Sequence, residues 1–197
     1  MTKINNPIAF SEAAEKIISE KLADPNFTHQ NWSDEDLLEV RQEIRQHYRG
    51  EQRLTCSYCR NPISSRSASG ASIEHIIPKS QYPQFIFEPK NLCLICPDCN
   101  EIKRKKDSLN FLERNNVKRY PRVSRSFKIV HPHYDVYSDH IIKANRAYID
   151  LTPKGHWTIG ACELNRFYHR FGACDEMIDD MEIIDQEERF HNQGARD

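Results

Sequence analysis

The sequence predicts an α+β protein in which a small, cysteine-framed β-hairpin core lies between mainly helical extensions. Apolar residues recur at helical spacing before residue 50, two Cys-x2-Cys pairs frame the middle of the chain, and the helical period is lost between those pairs. The 197 residues divide into an N-terminal helical extension (1–50), a core (51–120) and a C-terminal extension (121–197). A chain of this length can bury one moderate core.

Two helices are predicted in the N-terminal extension. The first follows Ser11, a candidate N-cap, and stops before Pro25. Its apolar face consists of Phe10, Ala14, Ile17, Ile18 and Leu22. The second is predicted to begin at a capping box formed by Ser33 and Asp36. Its apolar face consists of Leu37, Val40, Ile44 and Tyr48.

The rest of the chain predicts short elements. Ser, Gly and Pro residues, together with isoleucines, predict a hairpin between Cys59 and Asn91. A helix is predicted after Asp98, continuing through the lysine run, with Pro121 interrupting the pattern. In the C-terminal extension, "HWTI" at 156–159 indicates a strand. A last helix is predicted from the apolar face Met177, Ile178, Met181 and Ile184.

Composition excludes several classes of protein. Hydrophobic residues make up 38% and charged residues 29% of the chain, and no apolar run approaches the roughly 20 residues of a membrane helix. The first residues, MTKINNPIAF, lack the apolar core of a secretory signal, so we expect a cytoplasmic location. The chain has seven cysteines, five of which cluster between residues 56 and 99. In a reducing compartment this pattern favours metal binding over disulfides.

Charge is segregated along the chain, although the net charge is only -1. Residues 100–128 contain ten Lys or Arg against three acids, a net charge of +7. This block suits a phosphate backbone, and the alternative is a solvated helix face. Residues 172–197 contain nine acids against two arginines, a net charge of -7. The acidic end is expected to avoid nucleic acid.

The cysteine spacing predicts a structural zinc site. Two Cys-x2-Cys knuckles can close a tetrahedral four-thiolate site, which leaves no position for a substrate. The predicted ligands are Cys56, Cys59, Cys96 and Cys99. Cys93 forms a third knuckle with Cys96, but it lies in a strand-like run that favours a buried apolar role. Cys162 and Cys174 belong to no knuckle and are interpreted as core thiols.

The order of these motifs resembles the HNH, or ββα-metal, endonuclease family. The resemblance covers about residues 54–107. The matching residues are Cys56, Cys59, Glu74, His75, Ile76, Pro78, Asn91, Leu92, Cys96, Cys99, Asn100 and Lys103. The family more often has Asp where this chain has Glu74. The fold that the resemblance implies is a zinc-stapled ββα-metal core.

The resemblance implies metal-dependent phosphodiester hydrolysis, with DNA as the substrate. His75 would be the general base that activates water. Glu74 and Asn100 would bind Mg²⁺ or Mn²⁺, and some local distortion is expected where Glu74 and His75 adjoin on a strand. Asn91 would form hydrogen bonds across the hairpin loop and so orient His75. Lys103 lies on the same helix face as Asn100 and would reach the phosphate that the metal contacts. The predicted nucleic-acid contacts are Lys103, Arg104, Lys105 and Lys106.

The C-terminal extension has a more specific resemblance. "HPHYDVYSDHI" (131–141) and "KGHWTIGACELNR" (154–166) resemble HNH proteins of the PtuB type, the nuclease partners of an ABC-like ATPase in Septu anti-phage defence. This implies a hetero-oligomer with a PtuA-type ATPase. Two alternatives are a stand-alone restriction or mobile-element HNH nuclease and a non-catalytic, zinc-stapled nucleic-acid-binding module.

Two segments of the C-terminal extension have open interpretations. A second metal site or a polar network that holds the extension to the core could be formed by His131, His133, Asp135, Asp139 and His140. The acidic helix predicted on "DEMIDDMEIIDQEERF" (175–190) either packs on the core or docks on a basic, apolar groove of the ATPase. Arg166 is interpreted as structural.

Overall fold

The computed structural model describes residues 3–110, 117–144 and 146–172. Its helices are α1 (Glu12–Ala23), α2 (Leu38–Glu51), α3 (Pro97–Lys103), α4 (Pro153–Cys162) and α5 (Arg166–Phe171). Its strands are β1 (Ser72–His75), β2 (Leu92–Ile95), β3 (Ile141–Ala144) and β4 (Ala147–Asp150). The predicted α+β class is confirmed. Within the described ranges, no helix combines the length and apolarity that a membrane span requires.

The N-terminal extension contains both predicted helices, but the second begins later than expected. Ser11 Oγ accepts a hydrogen bond from the backbone N–H of Ala14 at 3.3 Å and caps α1. The capping box predicted at Ser33 and Asp36 is wrong. Ser33 ends a 3-10 turn that Thr28 caps, and Asp36 instead pairs with a lysine of α1. A second 3-10 turn then leads into α2, which buries the predicted apolar face.

Strands β1 and β2 form an antiparallel hairpin that leads directly into α3. The register runs unbroken from Ser72 opposite Ile95 to His75 opposite Leu92, so the expected local distortion is not observed. The predicted continuation of the following helix through the lysine run is wrong. Helix α3 ends at Lys103, because the next residue, Arg104, has φ +43° and leaves helical geometry.

The C-terminal extension contains the antiparallel hairpin β3–β4 followed by α4 and α5. The strand predicted for 156–159 is wrong, because Thr152 caps a helix there and Pro153 occupies its first position. Helix α4 lies directly on the chain before β3: a Cβ at Gly155 would lie 1.9 Å from the carbonyl oxygen of His140. Arg166 pairs with Asp98 of α3 at 2.8 Å, which ties α5 to the core.

A polar network connects the C-terminal extension to the β1–β2 hairpin. Asp135 Oδ2 accepts a hydrogen bond from the backbone N–H of His131 at 2.7 Å and forms an ion pair with Lys154. His140 lies 3.8 Å from the other Asp135 oxygen. His133 Nε2 donates to a main-chain carbonyl of β2 at 2.8 Å. Among the described residues, only four cysteines cluster as metal ligands, so the structure favours the network over a second metal site.

We expect the free energy of unfolding to fall as the pH drops below about 6.5, the unperturbed histidine pKa. Burial lowers the pKa of His133 to about 4. The unfolded chain therefore takes up a proton that the folded chain does not, at a cost of about 1.4 kcal/mol per pH unit, or about 2 kcal/mol by about pH 5. Urea unfolding of wild type and His133→Asn measures this. An Asn amide can still donate to the β2 carbonyl, so the variant should keep this contact. Its free energy of unfolding should depend less steeply on pH than that of wild type. Equal slopes would show that His133 does not cause the pH dependence.

Candidate active site and zinc cluster

Four cysteine thiols converge at one point of the core. The Sγ atoms of the four lie within 4.8 Å of one another, and those of Cys59 and Cys96 are 3.6 Å apart. Tetrahedral zinc with bonds of about 2.3 Å would place its sulfurs about 3.8 Å apart, so this donor set fits the ion. The cluster consists of the predicted ligands Cys56, Cys59, Cys96 and Cys99, all buried.

The local structure explains why the second knuckle is Cys96 with Cys99. Cys96 is the N-cap of α3, and its Sγ accepts from the backbone N–H of Cys99 at 3.5 Å. One helical turn therefore presents both sulfurs to the cluster. Cys93 lies on β2 opposite Glu74, outside the cluster, where burial raises the pKa of its thiol. The alternative register with Cys93 as a ligand is not the one that the structure forms.

Cys162 is a residue of the zinc region that the sequence did not reveal. It is fully buried at the end of α4, and its thiol is within hydrogen-bonding reach of the Cys99 sulfur. Cys162 belongs to no Cys-x2-Cys pair, so spacing gave no signal for this position. Through Cys162, α4 closes over the zinc cluster.

His75 ends β1 as a buried, neutral imidazole. Its Nε2 lies 3.0 Å from the main-chain carbonyl oxygen of Ile86. A carbonyl only accepts hydrogen bonds, so Nε2 carries the proton and Nδ1 keeps its lone pair. The Trp32 ring packs edge-on against the imidazole, with centroids 4.6 Å apart. Burial, followed by the positive charge of Lys79, lowers the pKa of His75 to about 3.

Asn91 spans the loop between the two strands. Its Oδ1 accepts from the backbone N–H of Ile77 at 2.7 Å, and its Nδ2 donates to the carbonyl of Phe85 at 2.9 Å. Phe85 immediately precedes Ile86, whose carbonyl holds His75. Asn91 is fully buried. Its contacts therefore fix the loop that fixes the orientation of the imidazole.

Glu74 is held inside the protein by two partners on the same carboxylate oxygen. Lys103 forms an ion pair with Oε1, and the hydroxyl of Tyr58 donates to Oε1 at 3.3 Å. Burial raises the pKa of Glu74, and Lys103 and Tyr58 oppose that rise. Lys103 Nζ also donates to the carbonyl of Ile76 at 3.2 Å.

The position of Lys103 differs from the predicted phosphate contact. A phosphate contact requires an exposed ammonium on the face of Asn100, and Asn100 is indeed exposed. Lys103 is 0% exposed, because the last turn of α3 directs it toward Glu74. In this structure, Lys103 contacts a candidate metal ligand from inside the core.

Glu74, His75 and Asn100 line one cleft, with a volume of about 240 Å³. Basic side chains from Lys79, Arg104 and Lys105 also line it. A carboxylate and an amide oxygen are ligands that hard divalent cations such as Mg²⁺ or Mn²⁺ accept, with water completing the shell. The donor set at this cleft therefore fits such a cation.

The four predicted nucleic-acid contacts have different environments in the structure. Arg104 is exposed and forms an ion pair with Glu101, and Lys105 is exposed beside it. Lys106 Nζ donates to the carbonyl of Ala161 at 2.8 Å, at the end of α4. Since Lys103 is buried, only Arg104 and Lys105 of this group line the cleft.

Comparison with known proteins identifies the part of the chain that carries this site. Residues 56–106 match the family model described as HNH endonuclease. The chain therefore contains an HNH endonuclease domain. The matched range includes both cysteine knuckles, the β1–β2 hairpin and α3. The resemblance inferred from the motifs is confirmed for this range. A search of the curated proteins finds no match, so the PtuB-type assignment has no support from relatives.

Proposed function

We propose that this protein is a metal-dependent endonuclease that hydrolyses DNA phosphodiester bonds in the cytoplasm. One observation carries the proposal: within the HNH domain, a neutral imidazole and two oxygen donors line the same cleft. Those groups are His75, Glu74 and Asn100. A non-catalytic binding module would need basic surface, but it would not need a histidine held in one tautomer beside a buried carboxylate.

His75 would act as the general base. Its Nδ1 is the nitrogen that can accept a proton from an attacking water, since Nε2 is occupied by the Ile86 carbonyl. That carbonyl also stabilises the imidazolium that forms when Nδ1 takes up the proton. Asn91 contributes by holding the loop that carries the Ile86 carbonyl.

Glu74 and Asn100 would hold the divalent cation, either Mg²⁺ or Mn²⁺. When bound, the cation supplies charge stabilisation at the phosphate and the leaving oxygen. Lys103 and Tyr58 would keep the buried Glu74 carboxylate ionised and hold its Oε1 in a fixed position. The four-cysteine cluster would hold a structural zinc that takes no part in the reaction.

Lys103→Met is expected to destabilise the fold without changing the number of phosphate contacts. Removing one partner of a buried ion pair costs about 3–5 kcal/mol of unfolding free energy, because Glu74 is left uncompensated. Urea unfolding and the salt dependence of DNA binding measure the two effects. The matched control, Lys105→Met, removes an exposed lysine and should leave stability unchanged. If Lys103→Met is stable and its DNA binding depends less on salt, then Lys103 contacts phosphate as the sequence predicted.

The proposed function is tested by cleavage of supercoiled plasmid. We expect nicking in Mg²⁺ or Mn²⁺ and none without an added divalent cation, with zinc content measured on the same samples. Absence of cleavage from zinc-loaded protein that still binds DNA would favour the non-catalytic module instead.

We further propose that the protein is the effector nuclease of an anti-phage defence complex with an ABC-like ATPase. Support comes from the resemblance of 131–141 and 154–166 to PtuB-type nucleases. These segments contribute the polar network and much of α4, which lie against the hairpin and the zinc cluster. The acidic helix predicted at 175–190 lies outside the described residues.

Co-expression with a PtuA-type ATPase tests the defence role. We expect the two chains to co-purify, cleavage to depend on the ATPase, and deletion of 175–197 to abolish association while zinc is retained. Full cleavage by the isolated protein, without co-purification, would favour the stand-alone nuclease.

A further inference from the structure

Helix α2 carries a row of three arginines, Arg41, Arg45 and Arg49, each one helical turn from the next. Successive members are about 6 Å apart along the helix axis. The row lies outside the range that matches the HNH family model. Within the described residues, no carboxylate lies within ion-pair distance of these guanidinium groups.

The two outer arginines are fixed in place by neutral partners. Arg41 donates to the main-chain carbonyl of Trp32 at 2.5 Å. Arg49 donates to the carbonyls of Ser64 and Ser67 at 3.1 and 2.9 Å. These hydrogen bonds order the side chains, but carbonyl groups do not cancel a full positive charge. The outer members are therefore preorganised cations.

Arg45 is the least satisfied member of the row. Its Nη1 makes one long contact, 3.4 Å, to the carbonyl of Arg41. Its Nε is buried and has no hydrogen-bond partner among the described residues. Burial lowers the pKa of Arg45, and the charges of Arg41 and Arg49 lower it further. Three neighbouring guanidinium groups with an unsatisfied centre are an arrangement that a bound polyanion would stabilise.

The row is on the helix that packs against the strands of the active site. Helix α2 packs against β1 and β2. At one end, Arg41 holds the residue whose ring packs against His75, namely Trp32. At the other end, Arg49 holds the loop at 64–67 that precedes β1. The two outer arginines therefore contact segments that adjoin the β1–β2 hairpin, and DNA bound at the cleft would extend toward them.

We propose that Arg41, Arg45 and Arg49 bind the phosphate backbone of duplex DNA next to the phosphate being cleaved. This inference rests on the proposed function and adds a surface that the HNH domain alone does not supply. The contacts are to phosphate oxygens, so they position the substrate without reading its sequence.

The test is fluorescence anisotropy with a labelled DNA duplex and no added Mg²⁺ or Mn²⁺, which prevents cleavage while leaving the structural zinc in place, over a series of salt concentrations. Arg45→Gln is expected to raise the dissociation constant about fivefold at physiological salt and to reduce the salt slope by about 0.9, the value for one lost phosphate contact. Arg45→Lys should keep the slope. The matched control, Arg170→Gln, removes an exposed arginine of α5 and should change neither quantity.

The outcomes separate this inference from the proposed function. Wild-type binding that Arg45→Gln leaves unchanged would overturn the inference alone and assign the row to a different anion, such as an acidic protein segment. An equal loss in Arg170→Gln would also overturn it, because net charge would then explain the effect. No binding by wild-type protein would overturn the proposed function together with the inference. Urea unfolding of Arg45→Gln confirms that the variant is folded.

Discussion

Replacing His75 by alanine is expected to lower the rate of plasmid cleavage by about 100- to 10,000-fold, the range for loss of a general base. The structure fixes the tautomer of this histidine, because the Ile86 carbonyl accepts from Nε2 and leaves Nδ1 for the water. DNA affinity should persist, since the basic groups at the cleft are untouched. The measurement is single-turnover cleavage under Mg²⁺ or Mn²⁺, with affinity measured without an added divalent cation.

The chain offers a matched control for this variant. His47 also places Nε2 against a main-chain carbonyl, that of Asn6 at 2.9 Å, and packs edge-on against an aromatic ring, Tyr48. It lies on α2, outside the residues that line the cleft. His47→Ala therefore removes similar contacts without removing the base, and it should cleave at the wild-type rate. A comparable loss of rate in both variants would show that packing, not proton transfer, explains the His75 result.

The zinc cluster was predictable from sequence because its geometry is local. Each Cys-x2-Cys pair is one turn of chain, and the pair at Cys96 coincides with the first turn of α3. The choice between Cys93 and Cys99 also followed from local pattern, because Cys93 sits in the alternating run that becomes β2. Contacts between segments that are distant in the sequence leave no such spacing pattern. Cys162 reaches the cluster only because α4 folds back over it.

Lys103 shows where sequence reasoning fails. A spacing of three residues from Asn100 suggests a shared helix face, but a seven-residue helix does not reveal which of its sides faces the core. Packing of α3 on β1 turns Lys103 toward Glu74 and leaves Asn100 in the cleft. Similarly, the periodicity of α2 is visible in the sequence, whereas the neutral partners of its arginines come from the 3-10 turns and the loop before β1.

Replacing Cys99 by serine is expected to unfold the HNH domain. Structural zinc contributes roughly 10–16 kcal/mol of apparent binding free energy, which equals or exceeds the total stability of about 5–15 kcal/mol typical of a domain. Cys99 has a central place in this cluster, because its thiol meets the other ligands and Cys162 of α4. The measurements are zinc content and near-ultraviolet circular dichroism, for the variant and for wild type treated with a strong chelator.

The matched control for the zinc prediction is Cys93→Ser. Cys93 is as deeply buried as Cys99 and lies on the adjoining strand, but its sulfur is outside the cluster. The control should therefore retain zinc and lose only the roughly 1–3 kcal/mol that burying a hydroxyl costs. A folded, zinc-free Cys99→Ser protein would show that apolar packing alone maintains the domain. Loss of zinc in Cys93→Ser would instead show that Cys93 is a zinc ligand. We expect zinc and fold to be lost together only in Cys99→Ser. That result would show that the metal is required to form the cleft that contains His75.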